Sequence, residues 1–203
     1  MADPERGERD LLGDVIAAIA GGVTMVQVRA KHLDRDAFRA LAAPLREACQ
    51  VRGVPFIVND RLDLALEIGA DGVHLGEHDT PVDEARRLSG PNLIIGASPR
   101  DESQAELARL LGADYVGLGP VYVTGSKDDA GTPIGLAGLA ARIHAAKLPA
   151  VGIGGITVER ATEVVLAGAD GVAVISAIQR APDPAVAAAA LAAAVRAGLN
   201  RRL

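Results

Sequence analysis

The tripeptide Gly-Ala-Asp occurs three times in the chain, at residues 69–71, 112–114 and 168–170. Each copy follows a helical pattern of apolar residues and leads into a short apolar run. Glycine is favoured at the carboxyl terminus of a helix because the left-handed backbone conformation costs it nothing. The repeat therefore predicts one helix-to-strand joint used three times, and repeated joints of this kind predict a parallel sheet.

Short apolar runs alternate with helical patterns along the chain. Seven runs predict strands, at residues 24–29, 55–58, 72–75, 93–96, 115–118, 150–153 and 171–175. Helices are predicted at residues 11–20, around 38–49, and at 62–68, 82–88, 103–111, 136–146, 158–167 and 184–199. Hydrophobic residues make up 49% of the chain but aromatic residues only 2%, which suits parallel strands that are apolar on both faces. Because the 203 residues contain no linker, we expect one domain over residues 1–203, an α/β fold of the TIM (β/α)8 barrel type.

The first strand of such a barrel is missing from the pattern. It should precede the helix at residues 11–20, but residues 1–10 read Met-Ala-Asp-Pro-Glu-Arg-Gly-Glu-Arg-Asp and carry no strand signal. A closed barrel has no edge strands, so we expect the strands at 24–29 and 171–175 to be exposed edges. Such a chain is truncated, mis-started or closed by a segment of a partner. It should also be less stable and prone to associate into a homo-oligomer.

Charge and cysteine content exclude several classes of protein. The formal net charge of −5 disfavours nucleic-acid binding, which requires a basic surplus. The single Cys49 precludes an internal disulfide, suits a cytoplasmic protein and is expected to be a small core residue. No membrane partner is expected, because no run outside the Ala-rich C-terminal helix approaches 18 apolar residues without charges, Gly or Pro.

Polar side chains follow the predicted strands at their carboxyl ends, where barrels bind ligands. Gln27, Arg29 and Lys31 alternate onto one side of the first strand, which suits either an anionic ligand or solvated charges. Asp60 and Asp79 follow two neighbouring strands and either share a hard cation such as Mg²⁺ or cap helices.

Other polar residues near these strand ends also have more than one interpretation. Glu77 and His78 are alternative ligands, although the alternation places them on the loop surface. His74 lies inside a strand and is interpreted as a packed core histidine. Ser98 offers a hydroxyl and an N–H to phosphate, or caps the helix that follows.

Two glycine- and serine-containing strand ends predict a phosphate site. Residues 151–156 read Val-Gly-Ile-Gly-Gly-Ile, and Ile175-Ser176 end the last strand. Barrels bind phosphate with these two loops and a short extra helix, whose free N–H groups face the anion. The alternative is a tight glycine turn followed by an ordinary N-cap at Ser176. A long hydroxyl-rich loop with Thr124, Ser126 and Lys127 precedes this region and is interpreted as a lid.

Taken together, the motifs resemble the thiamine phosphate synthase family over nearly all of residues 11–180. The ordered set is Gln27-x-Arg29-x-Lys31, Asn59-Asp60, His74-x-Gly76-x-x-Asp79, Ser98, Gly117-Leu118-Gly119-Pro120, Thr124-x-Ser126-Lys127, Gly152-x-Gly154-Gly155-Ile156 and Val174-Ile175-Ser176-Ala177. One departure is Pro99-Arg100, where the family usually has a histidine after the serine.

The resemblance implies a transferase with two small phosphorylated substrates and Mg²⁺. Residues implied to hold the pyrimidine pyrophosphate are Gln27, Arg29, Lys31, Asn59, Ser98 and Lys127. Those implied to hold the thiazole phosphate are Thr124, Ser126, Gly155, Ile175 and Ser176, and those implied to hold Mg²⁺ are Asp60 and Asp79.

The reaction implied is a condensation that gives thiamine phosphate and pyrophosphate. Pyrophosphate leaves from the pyrimidine methylene and the thiazole nitrogen attacks the resulting cation, so Arg29, Lys31 and Lys127 are the implied catalytic residues. The related thiazole tautomerase and a non-catalytic paralogue are the alternatives. The two aspartates and Lys127 argue against the tautomerase.

Overall fold

A computed structural model of the chain describes residues 1–4, 10–125 and 131–202. Within them, seven parallel strands alternate with helices in one sheet of sequential order. The strands are β1 (Val26–Val28), β2 (Phe56–Asn59), β3 (Gly72–Leu75), β4 (Ile94–Ala97), β5 (Tyr115–Leu118), β6 (Ala150–Ile153) and β7 (Gly171–Ala173). The helices are α1 (Leu11–Ala20), α2 (Arg35–Val51), α3 (Leu62–Glu67), α4 (Val82–Ser89), α5 (Glu102–Leu110), α6 (Gly135–Ala146), α7 (Val158–Leu166), α8 (Ser176–Gln179) and α9 (Pro184–Arg202). The predicted TIM-like barrel that lacks its first strand is confirmed.

Small side chains fill the core, as the composition predicts. Every residue of β2, β3 and β5 is buried, because helices cover one face of the sheet and the strands surround the barrel interior on the other. Alanines such as Ala42, Ala105 and Ala161 are fully buried where helices pack on strands. Cys49 is buried too, and burial raises the pKa of its thiol to about 11. In the described residues, no helix has both the length and the hydropathy that crossing a membrane requires.

The three Gly-Ala-Asp joints share one set of hydrogen bonds. Each aspartate carboxylate accepts a bond from the backbone N–H near the start of the preceding strand: Asp71 from Phe56 at 2.8 Å, Asp114 from Ile95 at 2.7 Å and Asp170 from Ala150 at 2.9 Å. Each glycine has a positive φ, of 63°, 98° and 116° in order. The repeat thus fixes the amino ends of three strand pairs, which explains why the same three residue types recur.

An arginine from a helix reinforces each joint by binding the glycine carbonyl. Arg46 Nε donates to the Gly69 oxygen at 2.8 Å, Arg86 Nη2 to Gly112 at 3.0 Å and Arg202 Nη1 to Gly168 at 2.6 Å. These carbonyls lie at helix ends, where the backbone oxygens lack partners within the helix. The arginines therefore tie α2, α4 and α9 to the amino-terminal edge of the sheet.

The amino-terminal segment, residues 1–3, occupies the place of the missing strand. Ala2 N–H donates to the Gln27 carbonyl at 2.7 Å, and the Ala2 carbonyl accepts from Arg29 N–H at 2.9 Å. On the other side, the Met1 nitrogen donates to the Val174 carbonyl at 2.8 Å. The expectation that residues 1–10 contribute nothing to the sheet and leave both edges exposed is therefore wrong. A single bridging residue, Ala2, is too short a stretch to give an alternating pattern in the sequence.

Asp3 forms a buried ion pair with Arg29 at the end of β1. Arg29 Nη1 donates to Asp3 Oδ2 at 2.8 Å, and Asp3 is fully buried. The backbone of Asp3 also exchanges two hydrogen bonds with the buried side chain of Gln179 in α8, at 3.2 and 3.0 Å. The segment thus links β1 to the short helix after β7 through groups that water does not reach.

Replacing Asp3 by Asn should destabilise the fold, because it leaves the Arg29 guanidinium buried without a counter-ion. Loss of one partner of a buried pair costs about 3–5 kcal/mol, which urea denaturation would measure. Asp36→Asn is the matched control, since its carboxylate is 91% exposed in an i,i+3 pair with Arg39. That change should cost less than about 1 kcal/mol. Equal losses in the two variants would contradict a structural role for the Asp3–Arg29 pair.

Candidate active site

One cavity of about 640 Å³ opens at the carboxyl ends of the strands. Its size falls in the range of small-molecule sites, and its position is where barrel enzymes bind their substrates. Of the implied site residues that the structure describes, all but Gln27 line it: Arg29, Lys31, Asn59, Asp60, Asp79, Ser98, Thr124, Gly155, Ile175 and Ser176. The fold therefore brings together residues that lie up to 147 positions apart, from Arg29 to Ser176.

Arg29 and Lys31 form the cationic side of the cavity next to β1. Arg29 is buried and its guanidinium is held in place by Asp3, whereas Lys31 is exposed. The alternation that put Gln27 on the same side of the strand does not bring it to the cavity wall. Gln27 is absent from the cavity lining, and its side-chain oxygen Oε1 is buried. The predicted cluster is thus built around Arg29 and Lys31.

Asp60 and Asp79 line the cavity and do not cap the helices that follow. α3 and α4 begin after Arg61 and Pro81, and neither helix has a side-chain cap bond. Asp60 has a φ of +68°, an uncommon conformation for a residue other than glycine, and such strain concentrates at functional sites. Asp79 Oδ2 accepts a bond from Gly76 N–H at 2.7 Å, which fixes the carboxylate in the turn after β3.

Ser98 links the cavity wall to a buried histidine. His74 Nε2 lies 2.7 Å from Ser98 Oγ, and His74 Nδ1 lies 2.9 Å from the Tyr115 hydroxyl. The alternative that Ser98 caps α5 is wrong, because the cap is Asp101, whose carboxylate accepts from Gln104 N–H at 2.8 Å. His74 is buried as expected, but it also lines the cavity.

The glycine-rich turn after β6 approaches the loop after β5 closely. Gly154 and Gly155 have φ values of +95° and +64°, and a Cβ on Gly155 would lie 2.5 Å from the Val123 carbonyl oxygen. On the neighbouring strand end, α8 starts at Ser176, after Ile175. The alternative that Ser176 is an N-cap is wrong, because Ile175 holds the cap position and makes no side-chain cap bond. Ser126 and Lys127, in the predicted lid, lie outside the described residues.

Arg160 and Arg180 line the cavity beside these loops. Neither of them was predicted from the sequence as a site residue. Arg160 Nη1 donates to the Gly155 carbonyl at 2.7 Å, and its guanidinium carbon lies 4.4 Å from the centre of the Tyr122 ring. Arg180 directly follows α8. In the sequence, each of these two arginines lies within five positions of a predicted phosphate loop, and this spacing could have identified them.

Arg100 and Glu77 form an ion pair at the rim of the cavity. Their closest atoms are 2.8 Å apart, and Glu77 also lies 3.8 Å from His78. Glu77 and His78 are exposed, as the loop-surface interpretation predicts, and both also line the cavity at its rim.

Comparisons with known proteins agree on one family. The family model described as thiamine monophosphate synthase matches residues 1–178. A thiamine-phosphate synthase of Moorella thermoacetica is 50% identical over 182 residues, which cover 90% of this chain and 87% of the relative. A thiamine biosynthesis bifunctional protein of Symbiobacterium thermophilum is 53% identical over 184 residues, and there the match covers 90% of this chain but only 38% of the relative.

A solved structure extends the likeness to three dimensions. The thiamine phosphate pyrophosphorylase from Pyrococcus furiosus superposes with a TM-score of 0.89 at 38% identity, covering 97% of this chain and 94% of that one. The fold and the order of the cavity residues agree with the match to the family model. The chain belongs to the thiamine monophosphate synthase family.

Proposed function

We propose that this chain joins 4-amino-2-methyl-5-hydroxymethylpyrimidine pyrophosphate to thiazole phosphate and releases thiamine phosphate and pyrophosphate. The observation that carries the proposal is the cavity at the carboxyl ends of the strands, which is lined by Arg29 and Lys31, by the loops after β6 and β7, and by two aspartates. Two phosphorylated substrates must meet within one cavity for their carbon and nitrogen atoms to bond. The substrates are small molecules, and neither nucleic acid nor membrane is part of the proposal.

The pyrimidine pyrophosphate lies beside β1 to β4 in this proposal. Arg29 and Lys31 neutralise the pyrophosphate, and Arg29 is preorganised for this because Asp3 fixes its guanidinium. Asn59 and Ser98 are the adjoining polar groups of the wall. Gln27 and Lys127 complete the set by resemblance to the family.

The thiazole phosphate lies between the loops after β6 and β7 in this proposal. Gly155 presents its backbone without a side chain in the way, and Ser176 begins the helix α8. Ile175 and Thr124 line the same side of the cavity, and Ser126 joins them by resemblance. Arg160 and Arg180 add positive charge there, which supports an anion as the ligand.

The aspartate pair suits Mg²⁺. Among the described residues, no group of three or more His, Cys, Asp or Glu side chains could hold a metal ion, so a protein-only cage of that kind is not formed by them. Mg²⁺ typically takes one or two carboxylates and completes its shell with water and substrate phosphate. Asp60 and Asp79 in one cavity supply that number of hard oxygen ligands. Bound Mg²⁺ would neutralise charge on the pyrophosphate.

The protein groups stabilise charge in the proposed reaction, whereas acid–base groups are secondary. Breaking the bond between the methylene carbon and the pyrophosphate oxygen leaves both electrons on the oxygen. The pyrimidine ring then carries the positive charge until the thiazole nitrogen donates its pair to the methylene carbon. Arg29, Lys31 and Lys127 stabilise the departing pyrophosphate, because positive groups aimed at the oxygen that gains charge lower the barrier to its departure.

The amino-terminal segment pairs with both sheet edges from which a homo-oligomer was expected, so these edges do not favour association. The free, buried Cys49 agrees with the cytoplasmic location that the cysteine content suggests.

Mixing the purified chain with both substrates and Mg²⁺ should produce thiamine phosphate and pyrophosphate, detected by chromatography and a phosphate assay. Omitting either substrate should abolish both products, because the bond forms between them. Binding of both substrates without product would indicate a non-catalytic paralogue. Rearrangement of the thiazole carboxylate phosphate alone would indicate a tautomerase.

Asp60→Asn and Asp79→Asn should each raise the Mg²⁺ concentration needed for half-maximal rate by about tenfold or more, because each removes a hard anionic ligand. A magnesium titration of the initial rate measures this. Asp83→Asn is the control, since Asp83 is exposed in the first turn of α4 and lies outside the cavity lining. If all three variants titrate like the unmodified chain, the aspartates are not a metal site.

Gly155→Ala should raise the KM for thiazole phosphate by roughly tenfold and leave that for pyrimidine pyrophosphate unchanged, because the methyl group displaces the loop that faces the phosphate. Gly53→Ala is a matched control, with the same φ of +64° but with nothing within 4 Å of its added Cβ. It strains the backbone equally and should leave both KM values alone. A selective loss of pyrimidine pyrophosphate affinity in Gly155→Ala would mean that the two anion sites are reversed.

A further inference from the structure

Arg160, in the first turn of α7, lines the cavity and is held there by two contacts. Its Nη1 donates to the Gly155 carbonyl at 2.7 Å, and its guanidinium carbon lies 4.4 Å from the centre of the Tyr122 ring. A guanidinium over an aromatic face is attracted by the negative charge of that face. Tyr122 is not itself part of the cavity lining, so its contribution to the site passes through Arg160.

The two partners of Arg160 are packed against each other. The Tyr122 N–H donates to the Gly154 carbonyl at 3.1 Å, and a Cβ on Gly155 would lie only 2.8 Å from the Tyr122 Cβ. The Tyr122 hydroxyl donates to the carboxylate of Glu163, which lies in α7 three residues after Arg160. The loop after β5, the glycine turn after β6 and α7 therefore form one packed unit. The position of the guanidinium follows from close backbone contacts in that unit.

The charge of Arg160 is not used for a structural ion pair in the described residues. Two other arginines of the cavity pair with carboxylates, Arg29 with Asp3 and Arg100 with Glu77. Within residues 1–4, 10–125 and 131–202, the side-chain contacts of Arg160 are the Gly155 carbonyl and the Tyr122 ring. A cation in the first turn of a helix also opposes the helix dipole. A cation kept at this position suits an anionic ligand in the cavity.

The guanidinium has donors left for such a ligand. An arginine carries five N–H groups in a planar fork, and the Gly155 carbonyl takes one of them. Such a fork matches the geometry of a phosphate group. The Gly155 carbonyl and N–H belong to one residue, so an anion that approaches the backbone of this turn also approaches Arg160.

We propose that Arg160 is a specificity-determining residue that binds the phosphate group of the thiazole substrate with its own guanidinium. This inference rests on the proposed function. Tyr122 is a positioning residue in it, because its ring acts on the phosphate only through Arg160. The pyrimidine pyrophosphate, beside β1 to β4, does not contact Arg160. Removing the guanidinium therefore affects one substrate and spares the other.

Calorimetry with thiazole phosphate alone, and with pyrimidine pyrophosphate and Mg²⁺ alone, tests this without turnover. Arg160→Gln should weaken thiazole phosphate binding by about 10- to 100-fold, the loss expected for a hydrogen bond to a charged group, and leave pyrimidine pyrophosphate binding unchanged. Arg87→Gln is the matched control, since Arg87 is 70% exposed in an i,i+3 pair with Glu84 and lies outside the cavity lining. It should change neither affinity. Equal losses for both ligands in Arg160→Gln would overturn the proposal.

A lysine variant separates the charge of Arg160 from its support of the glycine turn. Arg160→Lys keeps the positive charge without the planar fork, so its affinity for thiazole phosphate should lie between those of the unmodified chain and Arg160→Gln. An affinity as low as that of Arg160→Gln would mean that the phosphate does not detect the charge, and would overturn the proposal. Arg160 is exposed, so both variants should fold, which their melting temperatures check.

A double-mutant cycle tests whether Tyr122 acts through Arg160. Tyr122→Leu should weaken thiazole phosphate binding by about 3- to 5-fold, because the guanidinium loses the ring on which it lies. In an Arg160→Gln background the same change should cost less than about 1.5-fold. Tyr122→Phe keeps the ring and should retain the affinity of the unmodified chain. Equal losses from Tyr122→Leu in both backgrounds would contradict its action through Arg160.

The outcomes distinguish this inference from the proposed function. If the unmodified chain forms thiamine phosphate and Arg160→Gln binds thiazole phosphate equally well, only the role of Arg160 fails. If thiazole phosphate binds through Arg160 but no thiamine phosphate forms with both substrates and Mg²⁺, only the proposed function fails. An unmodified chain that does not bind thiazole phosphate would overturn both.

Discussion

The backbone bonds of residues 1–3 close a sheet that would otherwise have two open edges. Ala2 pairs with β1, and the Met1 nitrogen reaches the strand end after β7. The side chain of Asp3 accompanies this closure and forms a buried ion pair with Arg29. Closure and charge compensation depend on each other, because an unpaired guanidinium at this depth would oppose burial of the segment. The position of Arg29 in the cavity follows from the same contacts.

The two ends of the barrel carry different tasks. At the amino ends of the strands, the Gly-Ala-Asp joints and the arginines that bind them fix the strand pairs through hydrogen bonds. At the carboxyl ends, glycines and loops leave space and present polar groups. Barrel folds separate stability from function in this way, because the two sets of loops lie at opposite edges of the sheet.

The net charge of the protein and the charge of its site have opposite signs. The chain carries a formal net charge of −5, yet Arg29, Lys31, Arg160 and Arg180 converge on one cavity. Overall negative charge favours solubility, and local positive charge inside a cleft concentrates anionic ligands. The family's two phosphorylated substrates suit this distribution. Asp60 and Asp79 add negative charge to the same cavity, which a bound divalent cation would offset.

The sequence by itself determined the order of strands and helices and the strand ends that carry Arg29, Asp60, Asp79, Ser98 and Gly155, because these depend on periodicity and glycine placement over a few residues. Only the tertiary structure decided that Asp3 partners Arg29, 26 residues away, and that His74 joins Tyr115 and Ser98, 41 and 24 residues away. Such pairs follow from the register between strands and from how the sheet curves. A local sequence pattern predicts neither the register nor the curvature. Residues 1–3 show no strand periodicity, and His74 has the sequence surroundings of an ordinary core residue.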